Sequence, residues 1–82
     1  MNYNFSDALM LLKDGNRLCR KNWNGKNMYI FIIKNWTYTN EIDDNYENLP
    51  FIAMKTFDEK IVPWLASQTD ILSNDWEIVY LT

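Results

Sequence analysis

The run Met28-Tyr29-Ile30-Phe31-Ile32-Ile33 decides the fold. Six consecutive apolar residues, rich in β-branched and aromatic side chains, read as a strand. A strand with water on one face alternates apolar and polar residues. This one does not, so both of its faces need cover. One helix and one thin sheet in so short a chain cover a single face, and the other is expected to be covered by a second copy of the protein. That predicts a homo-oligomer, and a monomer by light scattering at micromolar concentration would overturn it.

Upstream of this strand, Trp23-Asn24-Gly25-Lys26 reads as a hairpin turn, because Asn and Gly both tolerate positive φ. Arg17 to Asn22 is then the partner strand. Before it, Ser6 has the chemistry of a helix N-cap, with Asp7 at the first helical position. Phe5 and Met10 have the spacing of a hydrophobic staple. Ala8, Leu9, Leu11 and Leu12 form an apolar stripe, and Gly15 suits the residue just past a helix end. A helix over 7–14 follows.

Downstream, Lys34 to Pro50 is polar and acidic, with Glu41, Asp43, Asp44 and Glu47 beside Trp36, Tyr38 and Tyr46. A short extended piece over 36–39 and then a mobile loop are expected, as a plain surface excursion or as a lid. Phe51 to Phe57 and Ile61 to Trp64 read as strands joined by Asp58-Glu59-Lys60, with Pro63 at an edge position or the strand's last residue. Ser67-x-x-Asp70 has capping-box spacing and predicts a short helix over 68–73. Trp76 to Leu81 closes the sheet. The expected architecture is one α+β domain over 1–82, a small, mainly antiparallel sheet with an N-terminal helix and a short second helix.

Composition narrows the function. The chain is 48% hydrophobic and has only two Gly and two Pro, which excludes a disordered segment. No apolar run is long enough for a membrane-spanning helix, and Met1 to Asp7 lacks a basic secretory start. A cytoplasmic protein with no membrane partner is expected. Net charge is −3, which argues against long nucleic acid as a partner. Arg17, Arg20, Lys21 and Lys26 nevertheless cluster, either as a solvated strand end or as a positive patch for one or two phosphates. With no histidine and a single cysteine, Cys19, neither a zinc site nor a His-activated nucleophile can be assembled. Cys19 reads as a small buried apolar residue. No catalytic residue and no cofactor are expected.

Binding chemistry concentrates in Val62-Pro-Trp64-Leu-Ala66-Ser67-Gln68-Thr69-Asp70, which runs on to Asp75-Trp76-Glu77-Ile78-Val79. Core packing does not require hydroxyl, amide and carboxylate side chains in a row between two indoles. The mixture suits a pocket that stacks on a flat ring and hydrogen-bonds around it. The helix start after Ser67 is a candidate phosphate seat, with Ser67, Gln68 and Thr69 as added donors. Trp23 and Trp64 suit stacking on a purine, Asn24 and Gln68 suit reading polar edges, and Arg20 or Lys26 suits a pyrophosphate. Structural roles compete. Trp76 reads as core, Asp70 and Ser67 as helix caps, and Trp64 fits packing as well as stacking.

Arg20-Lys-Asn-Trp-Asn-Gly-Lys-Asn-Met-Tyr29, Met54-Lys55, Ile61-Val-Pro-Trp-Leu-Ala-Ser-Gln-Thr-Asp70 and Asp75-Trp-Glu-Ile-Val79 together resemble the small phage domain called Thoeris anti-defence protein 2. The likeness runs from about Phe5 to Val79. It implies a non-enzymatic sponge that captures a cyclic ADP-ribose signal of the glycocyclic type, made by the bacterial Thoeris immune system, in the cytoplasm of the infected host. It also implies homotetramers with pockets where subunits meet. The site it suggests comprises Arg20, Trp23, Asn24, Lys26, Trp64, Ala66, Ser67, Gln68, Thr69 and Asp70. Rival expectations are a direct protein inhibitor of a host defence component, a sponge for other cyclic nucleotides, and an enzyme that destroys the signal. Asp58-Glu59-Lys60 departs from the glycine-bearing turn of the family, which bears on ligand preference.

Overall fold

A computed structural model describes residues 1–23, 27–36 and 48–80. Helix α1 (Phe5–Lys13) starts before the position its sequence suggests, because Asn4 caps it instead of Ser6. Asn4 Oδ1 accepts the Asp7 N–H at 2.9 Å. The shift in register dissolves the expected staple: Met10 is 64% exposed, and Phe5 turns inward against Trp64 and Trp76. The C-terminal reading holds. Gly15 has φ +95, its N–H reaches Leu12 O, and Asn16 N–H reaches Leu11 O, both at 3.0 Å. This is a Schellman ending, which needs a left-handed residue at Gly15.

Five strands follow: β1 (Arg17–Arg20), β2 (Tyr29–Ile33), β3 (Phe51–Lys55), β4 (Ile61–Pro63) and β5 (Trp76–Val79). They form one sheet in the order β4-β3-β2-β1-β5, every neighbouring pair antiparallel. Pro63 lies in the edge strand β4, where its missing N–H is harmless. β1 stops at Arg20 because Lys21–Trp23 winds into a 3-10 turn, so the strand expected to Asn22 is shorter. The β3–β4 connection tightens around Thr56–Lys60, with Glu59 at φ 68. Helix α2 (Gln68–Leu72) then crosses to β5. Trp36 is in no strand, and the remainder of the expected extended piece at 37–39, like most of the loop to Pro50, lies outside the described residues.

Register explains the core. Directly opposed residues share a face, so Leu18 aligns with Ile30 and Ile78, Ile30 with Met54, and Ile32 with Ile52. α1 lies against this face, and α2 is tied beside it through Asp70, which accepts from Arg20 and Trp76. Ala8 and Leu12 of α1 meet Leu18, Ile30 and Trp76 there, all of them without solvent exposure. Burying a side chain such as Leu12, Leu18 or Ile30 contributes about 1.5–3 kcal/mol. The opposite face carries Tyr29, Phe31, Ile33, Phe51, Ala53, Ile61, Pro63 and Val79, with Arg17, Lys55 and Glu77 among them. Neither helix covers it. β2 thus has one face against α1 and an apolar second face that neither helix covers, where Trp36 stands edge-on to Phe51 at 5.8 Å.

Candidate functional site

The chain leaves β4 at Pro63 and is pinned at once, since Trp64 N–H donates to Ile52 O of β3 at 3.0 Å. Leu65 is 93% exposed, Ala66 is half-buried, and Ser67, Gln68 and Thr69 stand in solvent. Ser67 is the N-cap of α2, with extended φ −78 and ψ 168. Its Oγ accepts the Asp70 N–H at 3.1 Å, while Asp70 Oδ2 accepts the Ser67 N–H at 3.0 Å. The capping box that the spacing implied is therefore present, with Asp in place of the usual Glu or Gln. Ser67 Oγ and Thr69 Oγ1 share a further hydrogen bond of 2.9 Å.

Asp70 also ties this turn to the sheet. Its Oδ1 accepts Arg20 Nη1 at 3.0 Å, and Arg20 Nε donates to Asp75 Oδ1 at 3.1 Å. The Asp70 carbonyl accepts the Trp76 indole N–H at 3.0 Å. Lys21 N–H donates to Asp75 O at 3.1 Å, which holds the start of the 3-10 turn against the same corner. Arg20 reaches this place because it pairs with Trp76 in the β1–β5 ladder, on the helix-bearing face.

The electrostatics follow from these contacts. Burial alone would raise the Asp70 carboxyl, but the Ser67 N–H and hydroxyl and the Arg20 guanidinium together hold it below the usual carboxylate range. The hydrogen bond to Asp75 does most to raise the Arg20 guanidinium above its ordinary value, and Asp70 adds to it. Cys19, buried on β1, has its thiol pushed up by desolvation and then by the Glu77 and Asp75 charges, so it is a poor nucleophile.

Below the turn lies an aromatic cluster. Trp76, with no exposed surface, stands edge-on to Trp23 (centroids 5.4 Å, 84°) and to Trp64 (5.9 Å, 87°). Phe5 fills the space at 5.6 Å from Trp76 and 6.2 Å from Trp64. Trp76 is core, as its alternating strand implied. Trp23 and Trp64 are half-buried, each packed on Trp76 and each keeping part of its surface accessible. Arrangements of this kind offer ring faces beside hydroxyl and amide groups, which is chemistry for holding a flat, polar ring.

The structure thus brings Arg20, Trp23, Trp64, Ser67 and Asp70 into one connected corner, with Ala66, Gln68 and Thr69 on the turn above it. Asn24 and Lys26 lie outside the described residues. The phosphate seat is narrower than the sequence suggests. Ser67 already takes the Asp70 N–H, and the Asp70 carboxylate occupies the first turn of a five-residue helix. Sequence reasoning missed that Asp75 belongs to this corner: its partner Arg20 is 55 positions away, and no local pattern links them. A separate open cleft of about 290 Å³ is lined by Leu9, Lys13, Ile32, Lys34, Pro50, Phe51 and Ile52, and none of the described candidate residues lines it. Among the described residues no His, Cys, Asp or Glu cluster suits a metal ion, and no helix is long and apolar enough to cross a membrane.

Comparison with known proteins agrees with the resemblance seen in the motifs. The Thoeris anti-defense 2-like domain matches residues 3–79. A protein of Bacillus phage SP01 named Thoeris anti-defense 2 is 40% identical, over 92% of this chain and 92% of its own length. Both matches take in every candidate residue and the Arg20–Asp70–Asp75 corner, and on them the chain belongs to the Thoeris anti-defense 2-like family.

Proposed function

We propose that the protein is a phage anti-defence sponge. It binds the cyclic ADP-ribose signal of the Thoeris system, of the glycocyclic type, in the cytoplasm of the infected host and returns it intact. The effector is then deprived of signal by mass action, which requires tighter binding than the effector achieves and molar excess over free signal. The observation that carries this reading is the pair of half-buried indoles, Trp23 and Trp64, set against Trp76 beneath the polar Ser67–Thr69 turn. Trp23 and Trp64 would stack on the purine, and Gln68, Thr69 and Asn24 would contact its polar edges or the ribose. Lys26 would supply positive charge for the pyrophosphate, with Ala66 leaving room and Arg20, Ser67 and Asp70 shaping the turn.

The absence of histidine and the inert Cys19 are in keeping with binding without turnover. The apolar side of the sheet that neither helix covers, with Phe31 and Ile33, supports assembly of several copies, and a homotetramer fits the family. Subunit contacts would complete the pockets.

The test is capture and release. The protein is mixed with the product of a Thoeris synthase and removed by filtration, and the filtrate is assayed for effector activation. The retained protein is then heated and the released material is analysed by mass spectrometry. Depletion with recovery of unchanged signal is the expected result. Altered products would make the protein an enzyme. No depletion would refute the sponge reading and turn the search to other cyclic nucleotides or to a host protein partner.

A further inference from the structure

Arg20 is the natural first choice for a residue that grips a pyrophosphate, yet its geometry points elsewhere. Its Nε and Nη1 are both engaged, with Asp75 at 3.1 Å and Asp70 at 3.0 Å. The three side chains retain 17%, 31% and 14% of their exposure for Arg20, Asp75 and Asp70, so water screens the bridge only in part. Asp70, in turn, holds the Ser67 N–H and fixes the cap. Two of the five Arg20 N–H donors are used, and a guanidinium fork spanning two carboxylates is directional and outnumbered in charge, so it is better at setting an angle than at attracting a further anion.

We infer that Arg20 is a positioning residue. It bridges β5 to the α2 cap through Asp75 and Asp70, and so sets the pose of the Ser67–Thr69 turn on which ligand affinity depends. The inference rests on the sponge reading above. It deepens that reading by assigning Arg20 a task performed through Asp70 and by adding Asp75, which is outside the proposed ligand contacts.

Asp75→Asn separates positioning from direct contact, because the two predict opposite signs. If Arg20 gripped the ligand's phosphates, removing the Asp75 charge would free the guanidinium and make the corner more positive. An anionic ligand would then bind more tightly. If Arg20 acts by positioning, the bridge slackens and binding weakens by about tenfold, the loss expected for one charge-assisted hydrogen bond. Arg20→Lys keeps the charge but presents a single point donor, and the same weakening is expected.

The experiment measures affinity for glycocyclic ADP-ribose by calorimetry, with hydrogen exchange of the ligand-free proteins alongside. Faster exchange at the Ser67 and Asp70 amides, with exchange at Leu18 and Ile30 unchanged, reports a loosened turn in a folded protein. Weaker binding together with faster exchange supports the proposal. Equal or tighter binding by Asp75→Asn overturns it, as does weaker binding with unchanged exchange at the turn. Should the wild-type protein bind none of the nucleotide, the sponge reading falls. The exchange data then decide alone whether Arg20 holds the turn, unchanged rates overturning that too.

Discussion

Trp64→Ala tests whether the half-buried indole is a ligand platform or merely a lid on the core. The two roles have separable costs. As packing, the ring meets Phe5 at 6.2 Å and Trp76 at 5.9 Å but is only partly enclosed. Removing a fully buried Trp costs about 3–5 kcal/mol, so roughly half of that, ~1.5–2.5 kcal/mol, applies here. A domain of this size has a stability of about 4–12 kcal/mol, so the variant stays folded, with a melting temperature lower by roughly 6–20 °C. As a platform, the ring contributes about 1–3 kcal/mol of stacking, equivalent to a roughly 5- to 150-fold weaker Kd when lost. Trp64→Phe keeps an aromatic face and should fall between wild type and Trp64→Ala in both respects. Calorimetry with glycocyclic ADP-ribose, run well below the melting temperature of the variant, measures the second cost, and thermal unfolding measures the first. A Trp64→Ala protein that is destabilised as expected but binds within twofold of wild type would refute the platform role.

Gln68 stands in solvent at the first position of α2 and takes part in no described hydrogen bond, so Gln68→Ala should leave stability within about 0.5 kcal/mol. If the proposed site is right, calorimetry will nevertheless record weaker nucleotide binding. Ser67→Ala removes the acceptor for the Asp70 N–H and should cost about 1 kcal/mol, or roughly 4–8 °C in melting temperature. Asp70 has a folded-state pKa below its unfolded value, so its contribution is complete above about pH 4 and is lost as pH falls through the folded value. An acid titration of the melting temperature should show that loss in wild type and much less of it in Asp70→Asn. Finally, if copies assemble through the sheet face that neither helix covers, Phe31→Glu places a charge there and should leave single 9.9 kDa chains by light scattering. A wild-type protein that is already monomeric would defeat this expectation.

What was legible in the sequence was what local chemistry decides. Gly15 at the helix end, the Ser67–Asp70 capping box, Pro63 at an edge and the buried Trp76 follow from propensities that act within four residues. The N-cap shows where that logic stops. Asn4 and Ser6 are both competent caps, and the choice falls to a contact far along the chain. Tyr3 N–H donates to Trp76 O at 2.8 Å, and Trp76 N–H to Tyr3 O at 3.1 Å. This two-way bridge fixes the chain immediately before Asn4 and leaves it the capping position. The Arg20 corner was hidden for the same reason. Arg20 and Asp70 were visible as candidates and Asp75 was not, because the β1–β5 pairing that brings Asp75 to Arg20 joins segments from opposite ends of the domain.

That pairing also explains why a functional turn can be so short. A five-residue helix is far below the length at which a helix is stable alone. Here α2 is held from outside itself, by Ser67 at its cap, by Arg20 on the Asp70 carboxylate and by Trp76 on the Asp70 carbonyl. The polar run between the two tryptophans is thereby divided. Ser67 and Asp70 spend their hydrogen bonds on the turn, and the Gln68 side chain is left in solvent. A segment with every polar group engaged would be rigid and unable to recognise anything, while one with none engaged would lose much entropy on binding. The division seen here combines a fixed backbone with one exposed amide on the turn after Trp64, a combination that suits the proposed binding of a small polar ring.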